Sequence, residues 1–183
     1  MIDFMGIKKH LITGMMIHHD LAAYYEFLGF NGYKRCHEYH YIKESMMLRK
    51  LERHVMAYHH TLVKDMEFEP PEIIPSNWYN HTQIEVDEGT KKNAIKSGVA
   101  EWIRWESSFR DYLHEMMGED LEAADRMYLE CLICSVVKEL KCAEKKQIYL
   151  ETAGYDIKYI LREQQEVHDR YKHKMKKVGR CLC

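Results

Sequence analysis

Apolar side chains recur along most of this chain at alternating intervals of three and four, the signature of helices that bury one face. The clearest seam reads Tyr41, Glu44, Leu48, Leu51, Val55, Tyr58, Leu62, inside a stretch from about Tyr33 to Glu67 that lacks glycine and proline. A second seam reads Ile95, Val99, Trp102, Glu106, Phe109, Leu113, Met116. The pattern predicts helices over about 7–30, 33–67, 90–117 and 121–151, with a shorter fifth over about 156–177. Asn31-Gly32, Gly118-Glu119-Asp120 and Gly154 mark the turns, and Thr90 is the expected N-cap of the third helix.

Connection lengths then set the topology. Short turns make helices one and two antiparallel neighbours, and likewise three and four. All three prolines, Pro70, Pro71 and Pro75, fall between the hairpins, where each removes a backbone donor and biases its predecessor away from helix. A helix of about 30 residues is roughly 45 Å long, and some 14 extended residues cover that distance. The segment at about 68–89 is therefore long enough to cross from one end of a bundle to the other, with one helical turn expected near Trp78. The expected architecture is all-α: a single domain over 1–183, with a first hairpin (about 7–67), a crossover, a second hairpin (90–151) and the fifth helix.

Composition narrows the class of function. A net charge of -2 with neutral histidines provides no basic field for nucleic acid, and HKMKK at 173–177 reads as cations complementing a helix C-terminus. No run of about 18 apolar residues and no leader pattern point to a membrane or to export. Six scattered cysteines suit a reduced chain, so the expected location is the cytoplasm. Cys131 and Cys134 form a C-x-x-C in mid-helix, away from the helix N-terminus that activates a thiol, and are expected to be packing residues.

The chemistry is expected where charges interrupt apolar seams. Glu130 is the only charge between Met127 and Val137, and Glu106 and Glu44 are the only charges in their seams. With the second turn centred near residue 118, Glu106 and Glu130 each lie 12 residues from it and stand at equal height. In the first hairpin, His19 and Asp20 match the height of Glu44, with His18 one step further, and Glu26 faces His37 one heptad nearer the turn. Which of His18, His19 and Asp20 turns inward stays open, because helix one is apolar nearly all round. Carboxylates gathered in a dry core repel one another unless a cation neutralises them, and carboxylate oxygen with imidazole suits iron or manganese.

The order hairpin–crossover–hairpin, the fifth helix, and the segments DLAAYY (20–25) and MYLE…VKEL (127–140) resemble the ferritin-like superfamily over about residues 12–150. That resemblance implies a ferritin-like four-helix bundle, iron binding with oxidation or storage, and assembly into a homo-oligomer. It also implies a ligand set of Asp20, Glu44, Glu106 and Glu130, with His18, His19, Glu26 and His37 as further ligands or entry-path groups. The Glu-x-x-His pair of ferritin-like two-iron sites is missing, since no histidine has a glutamate three residues before it. His40-Tyr41-x-x-Glu44-x-x-Met47 also resembles a hemerythrin-like second helix, but no two of the 12 histidines have that family's four-residue spacing. The competing expectation is a non-enzymatic bundle without metal, its carboxylates paired with Lys, Arg or Tyr, serving an interaction or structural role.

Overall fold

Each predicted helical segment forms a helix in the computed structural model, which describes residues 2–63, 86–118 and 120–181, with side chains through 177. They are α1 (Phe4–Phe27), α2 (Asn31–His59), α3 (Glu88–Glu115), α4 (Ala123–Thr152) and α5 (Ile157–Cys181), and no strand occurs among the described residues. No helix among those residues is long and apolar enough to cross a membrane. The proline-rich crossover, including the turn expected at Trp78, lies outside the described residues.

Side-chain neighbours fix the helix directions. His18 of α1 meets His37 and His40, while Phe4 meets His54 and His59, so α1 and α2 are antiparallel. Gly14 lies against Trp105, His10 stacks on Phe109, and Gly98 abuts Tyr25, so α3 also runs antiparallel to α1. The consequence is that α2 and α3 are parallel, and the end of one and the start of the other lie at opposite ends of the bundle. Glu139 and Asp125 of α4 meet His40 and His54 of α2 respectively, making that pair antiparallel. Between them the helices enclose Leu11, Leu21, Leu51, Ile95, Phe109, Leu113 and Val136, all essentially free of solvent.

Several local expectations need correction. The first turn uses Gly29, at φ 82°, rather than Asn31-Gly32, which begin α2. Gly32 serves a different purpose: a Cβ there would sit 2.4 Å from the backbone carbonyl of Gln164, so only glycine lets α5 approach α2 this closely. Helix α2 stops at His59, short of the expected residue 67, because His60 adopts a left-handed conformation with no glycine to announce it. Asp87, not Thr90, caps α3 by accepting from the Thr90 amide at 2.9 Å.

Helix α5 is longer than expected, at 25 residues against 24 for α1. It runs parallel to α2: Tyr33 bonds Glu163 and Gln164 at one end, and Tyr39 meets Tyr171 further along. Lys146 of α4 bonds Glu163 at 2.7 Å, and the Cys142 sulfur lies 3.6 Å from the Tyr171 hydroxyl. Thus α5 bridges α2 and α4 and brings Tyr171 to the outer side of His40, their rings 6.0 Å apart.

Candidate metal centre

The inward seam of α1 runs Leu11, Gly14, His18, Leu21, Tyr25, and the spacing of three and four carries His18 into the interior. On α2 the same spacing gives Tyr33, His37, His40, Glu44, Met47, Leu51, a face that alternates aromatic, imidazole and carboxylate groups. Helix α3 presents Trp102 and Glu106, and α4 presents Val136 and Glu139. At mid-bundle His18, His37, His40, Glu44, Glu106 and Glu139 are all buried.

One ligand atom each from His18, Glu44, Glu106 and Glu139 lies within 4.8 Å of all the others, and so does the trio His18, His40 and Glu139. An ion with bonds of about 2.1 Å sets adjacent ligands roughly 3.0 Å and opposite ligands roughly 4.2 Å apart, so the side chains would close in by at most about 1 Å each to hold one. Both oxygens of Glu44, Oε2 of Glu106, and Nε2 of His18 and of His40 have no hydrogen-bond partner. Buried polar atoms are almost always satisfied, and each one left bare costs about 1–3 kcal/mol. The four of these on His18, Glu44 and Glu106 belong to the clustered set and fit a cation.

Neighbouring bonds aim these groups. His18 Nδ1 lies 2.9 Å from His37 Nδ1, so one ring donates and the other accepts. When His18 donates, its proton sits on Nδ1 and its Nε2, 4.0 Å from Glu106 Oε1, keeps a free lone pair. The Trp102 indole donates to Glu106 Oε1 at 3.1 Å and leaves Oε2 free. Glu139 is held from the other side: His40 Nδ1 reaches its Oε2 at 2.6 Å, and the Lys43 ammonium bonds its Oε1.

Charge follows geometry. Burial, then the charge of Glu139, pushes Glu44 and Glu106 well above the usual carboxylate range, and the charge of Glu106 adds to the rise at Glu44. Burial alone would raise Glu139 as well, but His40 and Lys43 bring it down to about 2. Burial would lower His40, yet Glu139 raises it well above the usual imidazole value. His18 and His37 are depressed, chiefly by burial and then by neighbouring imidazoles. Without an ion the site therefore holds a His40–Glu139–Lys43 charge cluster beside two neutral acids and two neutral imidazoles.

The sequence-expected residues divide sharply. Glu44 and Glu106 are in the cluster, and His37 stands behind His18 as its hydrogen-bond partner. Glu130 is exposed, and Glu139 occupies the place expected for it. Nine residues are 2.5 helical turns, so the two glutamates point to opposite faces of α4. Met127, Cys131 and Cys134 share exposure with Glu130, so that side of the run faces outward while Leu129, Leu132 and Val136 are buried, and the C-x-x-C cysteines are not core packing. His19 is 64% exposed and bonds the partly exposed Asp20, and Glu26, 57% exposed, pairs with Lys34. These three lie outside the cluster. His40, Lys43 and Glu139 were missed: seam spacing signals His40 and Glu139, whereas Lys43 lies beside the seam and the inward turn of His18 is hidden on a helix apolar nearly all round.

Comparison of the chain with protein-family models, with curated proteins and with solved structures finds no match in any of the three.

Proposed function

We propose that this chain is a metal-binding protein of ferritin-like architecture that holds one divalent iron or manganese ion through His18, Glu44, Glu106 and Glu139. The observation that carries the reading is the set of bare ligand atoms, above all the two Glu44 oxygens, converging from three helices in a water-poor interior. Three carboxylates and an imidazole form a hard, oxygen-rich donor set that suits iron or manganese. The helix order, with two antiparallel pairs and parallel α2 and α3, supports the ferritin-like reading of the fold.

A single ion is favoured over a two-iron centre. Lys43 and His40 supply to Glu139 the positive charge that a second ion would bring, and Glu-x-x-His is missing. That same self-neutralisation favours the second reading, a metal-free bundle with an interaction or structural role, in which Glu44 and Glu106 stay protonated.

Anaerobic equilibrium dialysis with Mn(II) or Fe(II) separates the two readings. Wild type should retain an ion that the E44Q/E106Q double variant does not. Absence of binding, or binding that the double variant leaves unchanged, removes the metal reading. Oxygen added to the Fe(II) form then reports whether oxidation or storage follows, and mass in solution tests the implied homo-oligomer.

A further inference from the structure

A second group of ligating side chains lies at the other end of α2, apart from the buried centre. His54 Nε2 and His59 Nε2 approach the same atom, Asp125 Oδ1, at 2.6 Å and 2.9 Å. Five residues along a helix amount to 500°, or 140° away from a shared face, so the two imidazoles flank the carboxylate from different sides. They converge because α2 ends at His59 and Asp125 sits in the first turn of α4. All three ligand atoms lie within 4.8 Å of one another.

The rings are held in place from outside. Tyr128 stacks on His54 with centroids 4.5 Å apart and planes within 14°. Phe4 covers His59 at 4.8 Å and reaches His54 at 6.1 Å. His54 and Asp125 are buried, whereas the His59 side chain is 34% exposed, so the group opens to solvent on one side only. An ion with bonds of about 2.1 Å sets adjacent ligands roughly 3.0 Å apart, close to the two histidine–Asp125 spacings already present.

We infer that His54, His59 and Asp125 form a second, solvent-accessible site for a borderline divalent ion such as zinc or cobalt. Two imidazoles and one carboxylate on one side of the ion leave its outward positions to water, the pattern of an exchangeable site rather than a closed structural one. The donor set is richer in nitrogen than the buried centre and so selects differently: zinc and cobalt here, manganese or iron there. About ten residues of α2 separate Glu44 from His54, which places the two sites roughly 15 Å apart.

Cobalt(II) is the probe, read by its visible d–d absorption and by calorimetry, on wild type, E44Q/E106Q, H59A and D125N. Wild type and E44Q/E106Q should share one Co(II) site, any additional ion in wild type belonging to the buried centre, whereas H59A and D125N should weaken that shared site more than about 100-fold, beyond the usual loss when only an outer-sphere partner is removed. H59A alters a partly exposed side chain and should keep its helical circular dichroism, so its loss of binding reports the site rather than the fold. Retention by H59A and D125N of the Co(II) site that E44Q/E106Q keeps, absence of any Co(II) site in E44Q/E106Q, or no binding by wild type would each overturn the inference. Failure of the buried centre appears instead as wild-type Mn(II) binding that E44Q/E106Q does not change.

Discussion

Adding Mn(II) is expected to stabilise the protein by an amount that grows with pH. In the ion-free protein Glu44 and Glu106 are held protonated well above the usual carboxylate range, so an ion must displace their protons. One proton displaced per ion changes the binding free energy by about 1.4 kcal/mol per pH unit, and two give up to about 2.7. The ion-free protein moves in the opposite sense. A folded-state value raised above the unfolded 4.5 contributes stability that is complete below 4.5 and is lost as pH rises through the folded value. The depressed His18 and His37 contribute stability that is present above 6.5 and is lost as pH falls. An ion at 100 times its Kd adds about 2.7 kcal/mol, roughly 5–11 °C in Tm for a chain of this length. Scanning calorimetry at about pH 5.5, 6.5 and 7.5, with and without a fixed Mn(II) concentration, should show the Tm increment rising at each step. An increment that is flat across this range would refute proton displacement at Glu44 and Glu106.

Other substitutions probe the same arrangement. Glu44→Gln removes an acid whose ionisation destabilises the ion-free fold, so the variant should be about 1–3 kcal/mol more stable than ion-free wild type near pH 8 by urea denaturation, and should lose its response to Mn(II). Lys43→Met strips Glu139 of a partner and should cost about 1–3 kcal/mol at pH 7, because Lys43 is partly screened by water. Wild type keeps the Glu139 contribution above 4.5 and loses it as pH falls towards about 2, so the gap between wild type and K43M should narrow on acidification. Trp102→Phe deletes the indole donor that orients Glu106 and should weaken Mn(II) binding about 10–100-fold in equilibrium dialysis while leaving the helical circular dichroism unchanged. Gly32→Ala drives a methyl into the Gln164 carbonyl and should destabilise by about 1–3 kcal/mol, with hydrogen exchange rising first in α5.

The five helices were legible because their seams are long and because Asn31-Gly32, Gly118, Gly154 and the prolines mark the breaks between them, although the first turn itself falls at Gly29. Glu44 and Glu106 were legible for the same reason: each is the lone charge in its sequence seam, and burial followed from spacing, although the face α2 buries carries His37 and His40 rather than Tyr41 and Leu48. Glu130 misled because hydrophobic density was taken as burial. The face that α4 buries is Leu129, Leu132, Val136, Glu139, Leu140, Ala143, and along it Glu139 falls in step whereas Glu130 falls between. Equal height about the turn also failed, because Glu106 meets Glu139, 21 residues beyond residue 118, rather than a residue 12 beyond it. On α1, apolar residues all round hid the face, and His18 emerged only when α2 and α3 supplied neighbours. Pairings such as His40–Glu139–Lys43 and His54–Asp125–His59 join α2 to α4 across 66 to 99 residues and leave no mark in a local pattern.

Anomalous diffraction from crystals grown with Mn(II) or anaerobic Fe(II) tests the central claim most directly. A peak at the metal edge within about 2.0–2.4 Å of His18 Nε2 and of oxygens from Glu44 and Glu106, with Glu139 completing the set, is the predicted result. Crystals soaked in either metal that show no anomalous density among those four side chains would contradict it.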